Sequence, residues 1–251
     1  MMNQNPTPST TVSEAVQIQR DYYTRTAEHY DEMHLVDQEH YRALEWTTDL
    51  MRRYQLESVL DVGCGTGRGV KYFLDRGFDP VGIEPVQALL DSGCQSYGLP
   101  HERMQLGSGE QLPFADRQFE VSIEMGVLHH VPRPEKVVRE MLRVTSRLVC
   151  ISDSNRFGQG RFAARLIKYA AWHCGLWPMI DLIRTRGKGY TISEEDGLAY
   201  SYSVYDSYYQ LAEWADHIYA IPTSAMTSRS WSNPLLTSSH VLLVAERNAG
   251  R

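Results

Sequence analysis

Val59-Leu60-Asp61-Val62-Gly63-Cys64-Gly65-Thr66-Gly67-Arg68 decides the fold of this chain. An apolar run carrying one acid leads straight into three glycines at alternate positions. Glycine tolerates φ > 0 and has no Cβ, so the backbone there can turn tightly and approach a ligand closely. The run predicts a buried strand over 57–62 and a helix over 68–76. That helix points its first N–H groups at whatever sits over the loop. A dinucleotide fingerprint needs its third glycine where Arg68 stands, so the spacing argues against NAD and for another nucleotide-like ligand.

Further on, Asp79-Pro80-Val81-Gly82-Ile83-Glu84 reads as a second strand ending in a carboxylate. In an α/β sheet such an acid, about 20 residues past the glycines, sits beside the loop and can accept both hydroxyls of a ribose.

These residues carry a resemblance. Asp61-Val-Gly-Cys-Gly-Thr-Gly67 followed by Gly82-Ile83-Glu84 resembles motif I and its partner acid in the class I S-adenosylmethionine-dependent methyltransferases. Gly109-Glu110-Gln111-Leu112-Pro113-Phe114 and Val127-Leu128-His129-His130-Val131-Pro132 resemble the small-molecule branch, similar to sugar and natural-product O-methyltransferases. The resemblance covers Tyr22 to Asp153 clearly and the last third in outline. It implies S-adenosyl-L-methionine as cofactor, held around Asp61, Gly63, Cys64, Gly65, Glu84 and Pro85, with Met125 and His130 at the fourth strand end. It also implies a flap in which Tyr23 and Tyr30 contact the methionine part of the ligand or the substrate; packing of the helix onto the sheet explains them equally well. Relatives place an aspartate before an alanine at the third strand end to accept from adenine. Ser108-Gly109 stands here, so the contact passes to the Ser108 hydroxyl, to Glu110, or to the backbone N–H of Gly109 or Glu110.

Along the chain, residues 1–13 are polar and expected to be disordered. Helices are expected over 17–33 and 41–54. Then come strand 57–62, helix 68–76, strand 80–84, helix 86–97, strands 103–107 and 119–125, helix 134–144 and strand 147–153. This alternation predicts a doubly wound, Rossmann-like α/β fold with a seven-stranded sheet. The expected division is a cofactor-binding core over 14–153, an inserted substrate cap over 154–206, and a C-terminal part, 207–251, that completes the core. That last part holds a helix over 207–218 and strands over 218–226 and 240–247, an antiparallel hairpin closing the sheet, with loop 230–235 between. The cap reads as one apolar helix over 161–176, then a cationic run, Arg184, Arg186 and Lys188, then tyrosines 200, 202 and 205. Long insertions inside compact domains are usually lids or binding loops. The cations suit either an anionic group or a solvated loop.

The chain has 251 residues, a formal charge of −6 and 42% hydrophobic residues, enough for one sizeable core. The acidic balance gives no general pull toward nucleic acid or anionic lipid. Four scattered cysteines without metal spacing suit a reducing compartment. With no long apolar run and no secretory core near the N-terminus, a soluble cytoplasmic protein is expected. The expected partner is a small-molecule acceptor, with no nucleic acid, no membrane and no metal; a homodimer is allowed.

Methyl transfer from a sulfonium is an in-line displacement, so the protein mainly binds, orients and excludes water. A neutral hydroxyl acceptor also needs a base. His129 follows the fourth strand, and an unperturbed imidazole titrates near neutrality. Asp153 ends the fifth, and adjacent strand ends lie about 5 Å apart, so a His129–Asp153 bond is feasible. The resemblance to sugar O-methyltransferases assigns the same two residues as base and orienting carboxylate. Thr145-Ser146 stands where that branch carries Pro-Gly-Gly. Transfer to an oxygen of a sugar or specialised metabolite is the leading expectation. Transfer to nitrogen or carbon, or a cofactor-binding regulator without turnover, are the alternatives.

Overall fold

The computed structural model describes residues 14–33, 38–194, 196–224 and 234–249. The stretch expected to be disordered, 1–13, lies outside them. Nine strands fall among the described residues: β1 Ser58–Val62, β2 Asp79–Glu84, β3 Met104–Leu106, β4 Phe119–Met125, β5 Thr145–Ser154, β6 Tyr190–Ser193, β7 Gly197–Tyr200, β8 His217–Pro222 and β9 His240–Glu246. Seven form one sheet in the order β3-β2-β1-β4-β5-β9-β8. The first five run parallel; β9 pairs antiparallel with both β5 and β8. This is the Rossmann-like sheet with its closing C-terminal hairpin.

Alternate side chains of the central strands build two cores, one on each face, as a pleated sheet requires. Leu60, Val62, Val149, Ile151, Val241, Leu243 and Ala245 face one cluster, shared with Val137, Val138, Met141 and Val144 of the Pro134–Val144 helix. Val59, Val121, Ile123, Leu148, Cys150, Leu242 and Val244 face the other, shared with Ala43, Leu44 and Met51 of the Gln38–Tyr54 helix. Strand order reverses between β1 and β4, so their C-terminal ends open the crevice where such folds bind ligands.

Several boundaries differ from expectation. The helix expected over 17–33 is broken into Glu14–Thr26, a tight turn Ala27–His29 and Tyr30–Met33. The helix expected over 161–176 ends at His173, because Gly175 takes φ +69° and the chain restarts as Trp177–Arg184 with Pro178 in its first turn. The helix expected over 207–218 stops at Trp214, and Ile218 belongs to β8 instead. The pair β6–β7 forms a separate antiparallel hairpin that the sequence reading did not include. Its strands are four residues long, too short for an alternation to stand out. Of the expected loop 230–235, residues 234 and 235 open a short helix, Pro234–Thr237, and the rest lies outside the described residues.

Candidate active site

The glycine loop closes the end of β1. Gly63, Gly65 and Gly67 all have positive φ. At Gly63 an added Cβ would also stand 2.6 Å from a Val127 methyl, so the turn has room for hydrogen alone. The Gln87–Tyr97 helix presses against the loop so closely that a Cβ on Gly93 would sit 1.7 Å from the Thr66 carbonyl oxygen.

Glu84, at the end of β2, is buried beside this loop. Its two carboxylate oxygens accept from the N–H of Gly65 at 3.2 Å and of Val86 at 3.1 Å. Each oxygen keeps a lone pair for a ligand hydroxyl. Burial pushes its pKa up to about 7, against the pull of the two N–H groups.

Over the loop lies the segment 14–33. Thr66 Oγ1 donates to Asp31 at 2.7 Å and Tyr97 OH to the same carboxylate at 2.8 Å. The Tyr30 ring therefore rests 3.4 Å from where Gly65 would carry a Cβ. Tyr23 stacks edge-on against both Tyr30 and His130, with centroids 5.8 Å apart in each pair. Loop, Glu84 and flap enclose a first cavity of about 160 Å³. Tyr23, Tyr30, Gly63, Gly65, Glu84, Pro85, Ser108, Gly109, Glu110 and His130 all line it. Three residues expected with them do not. Asp61 is buried under the loop with its carboxylate against Gly69, and burial raises its pKa to about 7. The Cys64 side chain packs with Val70, Leu90, Leu99 and Met104, away from the cavity. Met125 lines a second cavity.

Among the lining residues that sequence reading missed, Gln19 and Arg20 carry polar side chains. The Arg20 Nε and Gln19 Nε2 donors are buried without a hydrogen-bond partner among the described residues. Their helix carries few apolar anchors, so nothing in the sequence fixed which face turns inward. At the third strand end, Glu110 N–H donates to Ser108 Oγ at 3.2 Å, and the Glu110 carboxylate pairs with Arg133 at 2.6 Å. The Glu110 N–H and carboxylate are thus already engaged, while the Ser108 hydrogen is left to donate.

The second cavity, about 410 Å³, lies beyond Tyr23, Tyr30, Gly126 and His130, which line both. Its far wall holds Met125, His129, Asp153, Ser154, Gln159, Asp196 and Tyr200. His129 Nδ1 lies 2.8 Å from Asp153 Oδ1, and the His129 backbone N–H donates to Asp153 Oδ2 at 3.3 Å. His130 Nδ1 lies 2.7 Å from the Leu198 carbonyl oxygen. Asp196, in the β6–β7 turn, sits 3.4 Å from Nε2 of both rings. Burial pulls the His129 pKa down, but Asp153 and Asp196 push it well above the usual imidazole value. Among the described residues, His129, His130 and Asp196 are the group whose donor atoms lie close enough, within 4.8 Å, to hold a metal ion.

Beneath them Glu124 is fully buried in β4. One of its oxygens accepts from Val127 and Leu128 N–H; the other has no partner among the described residues. Burial, then Asp153, holds its pKa well above the carboxylate range. Arg184, Arg186 and Lys188 line neither cavity, and Arg184 pairs with Asp181 at 2.8 Å.

Residues 60–148 match a family model described as a methyltransferase domain. The matched segment includes the glycine loop, Glu84, Ser108–Glu110 and both histidines; Asp153 and residues 154–206 lie outside it. An uncharacterized methyltransferase of Mycobacterium sp. (strain KMS) is 41% identical over 90 residues, 35% of this chain and 34% of that protein. One of Mycolicibacterium gilvum is 38% identical over 93 residues, with the same shares. The chain thus spans about a third of the length of the curated relatives it matches. The magnesium protoporphyrin IX methyltransferase of Synechocystis, solved with bound S-adenosylhomocysteine, superposes with a TM-score of 0.60 at 16% identity, covering 92% of this chain and 99% of that one. The Burkholderia thailandensis 1,6-didemethyltoxoflavin-N1-methyltransferase, solved with its substrate and S-adenosylhomocysteine, gives 0.59 at 15% identity, covering 97% and 94%. At such identities these likenesses establish the Rossmann-like methyltransferase fold. Residues 60–148, about a third of the chain, are the part that matches the methyltransferase-domain model.

Proposed function

We propose that this chain transfers a methyl group from S-adenosylmethionine to a hydroxyl oxygen of a small molecule, a sugar or specialised metabolite. One observation carries the reading. Two cavities share a wall of Tyr23, Tyr30, Gly126 and His130, one lined by the glycine loop and Glu84, the other by a histidine on a buried carboxylate. A cofactor on one side of that wall and an acceptor on the other meet across it.

The first cavity suits the cofactor group by group. Glu84 offers two acceptor oxygens for the ribose diol. Arg20 offers an unpartnered buried donor to the amino-acid carboxylate. The Ser108 hydroxyl and the backbone beside it face the base. The bound cofactor supplies an electrophilic methyl on a sulfonium; the protein holds both reactants in line and keeps water out. In its neutral form, which the raised pKa places on the alkaline side, and with Nε2 released by Asp196, His129 takes the proton of the acceptor hydroxyl at Nε2. Asp153 orients the ring through Nδ1 and stabilises the imidazolium that forms. Residues 154–206 serve as the acceptor-side cap, contributing Gln159, Asp196 and Tyr200.

A second reading, transfer to nitrogen or carbon, is favoured by the position of Asp196. It pairs with His129 Nε2, the same atom that would take the proton. Measuring methyl transfer by wild type and His129→Ala against a panel of acceptors separates the two. Collapse in the variant supports oxygen; retained turnover supports nitrogen or carbon.

A further inference from the structure

A cluster of large apolar side chains lies exposed on one short segment of the cap. Phe162, Leu166, Ile167, Leu176, Met179, Leu182 and Ile183 are each between 43% and 71% exposed. They belong to a helical hairpin, Phe162–His173 and Trp177–Arg184, in which Ala171 is the one buried helical residue. The hairpin is fastened by its other face. Trp172 meets Phe157 edge-on with centroids 5.7 Å apart, the Arg156 guanidinium stands 4.8 Å over the Trp177 ring, and Trp177 Nε1 donates to Ser201 at 3.0 Å. The outward positions 162, 166 and 167, and 179, 182 and 183, repeat at helical spacing, so they form stripes. Contiguous apolar stripes left in water mark an interaction surface.

The charge of the same segment narrows what covers it. Residues 161–188 carry Arg161, Arg165, Lys168, Arg184, Arg186 and Lys188 against the single acid Asp181. That is a net +5 inside a chain of −6, leaving −11 on the remainder. Two copies meeting on this face would set +5 against +5. A negatively charged bilayer answers both the apolar stripe and the cations. Spanning is excluded for these two helices: 12 and 8 residues fall far short of the roughly 20 a bilayer needs. Among the described residues no helix is long and apolar enough to cross.

We propose that this hairpin docks flat on an anionic lipid surface, its apolar stripe in the headgroup layer and its exposed Arg161, Arg186 and Lys188 against lipid phosphates, while Arg165, Lys168 and Arg184 stay on Leu236, Gln159 and Asp181 of the protein itself. The whole-chain charge, which predicts no membrane, averages this segment away. The proposal rests on the hairpin alone and not on the methyl-transfer reading.

The test is flotation of the full chain with vesicles of phosphatidylcholine, alone or with about a third phosphatidylserine. Binding is expected on the mixed vesicles, falling about tenfold on phosphatidylcholine alone or in about 0.5 M salt. Ile167→Glu with Ile183→Glu, and separately Arg186→Glu with Lys188→Glu, should each cost about tenfold or more, with circular dichroism and thermal unfolding unchanged. Absence of wild-type binding to either vesicle overturns the proposal. So does binding indifferent to both variant pairs, or a dimer in sedimentation that the two isoleucine substitutions dissolve.

Discussion

On the β2 side of the candidate site, the glycine loop and Glu84 are held by backbone. Three left-handed glycines, the Gly65 and Val86 N–H groups on Glu84 and the close seat of Gly93 fix them. On the β5 side the key positions are held by side chains reaching between separate elements. Asp153 holds His129 from the next strand, Leu198 holds His130 from a hairpin, and Asp196 reaches both imidazoles from that hairpin's turn. The first construction tolerates one kind of ligand. The second can change with the β6–β7 hairpin, the sheet left untouched.

The comparison breaks most sharply at His129. If the acceptor is a hydroxyl, His129→Ala should lower kcat by about 10²–10⁴-fold, the usual worth of a general base. Cofactor affinity should stay within a few-fold, because the ring lines the second cavity and not the first. Single-turnover rates and calorimetric titration on the same samples check both. An equal loss in both would dissolve the distinction between the two halves.

The opposite pattern is expected at Glu84. Removing it strips the ribose of a charged acceptor and orphans the Gly65 and Val86 N–H groups. With charged hydrogen bonds at about 1.5–3 kcal/mol each, Glu84→Ala should weaken S-adenosylmethionine binding about 100-fold or more. The acidity of Glu84 gives a second readout. Its pKa is raised to about 7 in the fold, so the carboxylate loses its charge, and an acceptor, as pH falls through 7. Cofactor affinity should therefore drop on acidification from pH 8 to pH 6. Stability of the free chain runs the other way. A folded pKa above the usual carboxylate value means the fold keeps this proton more tightly, a contribution lost as pH rises from about 4.5 to 7. Affinity that is flat across this range would show the ribose bound elsewhere.

Gly93→Ala tests whether backbone packing sets the geometry of the cofactor half. The new methyl would collide with the Thr66 carbonyl oxygen at 1.7 Å, and a backbone atom cannot swing aside. Overpacking of this kind costs about 1–3 kcal/mol, visible in denaturant unfolding. The matching change in the cap, Gly175→Ala, meets no atom within 4 Å and carries only the strain of φ +69°.

The same contrast explains what the sequence made legible. Strand–glycine–helix patterning is local, and β1, β2, β4 and the Pro134–Val144 helix lie within two residues of their expected bounds. Glu84 follows from the loop because parallel pairing of β1 with β2 puts it there. His129 and Asp153 meet because β4 and β5 are neighbours in register. Arg20, Gln19, Leu198 and Asp196 depend instead on how the Glu14–Thr26 helix and the β6–β7 hairpin fold back over the sheet. The Leu198 N–H donates to Gln19 Oε1 at 2.6 Å across 179 residues of chain, and no local pattern encodes a contact of that range. Glu124 left no readable trace: Phe119-Glu-Val-Ser-Ile-Glu-Met125 alternates apolar and polar residues, which reads as a strand with one solvated face, and burial on both faces comes only from the central place of β4 in the sheet.

The smallest expected effect is also the one that locates the border between the halves. Thr66 donates to Asp31 at 2.7 Å, and with Tyr97 it latches the flap onto the glycine loop. The flap also reaches the cap: Tyr22 OH donates to the Glu194 carbonyl oxygen at 3.0 Å. Thr66→Val keeps the shape and deletes one hydrogen bond, worth about 0.5–1.5 kcal/mol. If the flap belongs to the cofactor half, S-adenosylmethionine affinity should fall about three- to tenfold while KM for the acceptor holds. If the flap moves with the cap, KM for the acceptor should rise by a similar factor and cofactor affinity should hold. The wall of Tyr23 and Tyr30 between the cavities would then open and close with the acceptor, because those two rings ride on the segment that Thr66 ties down.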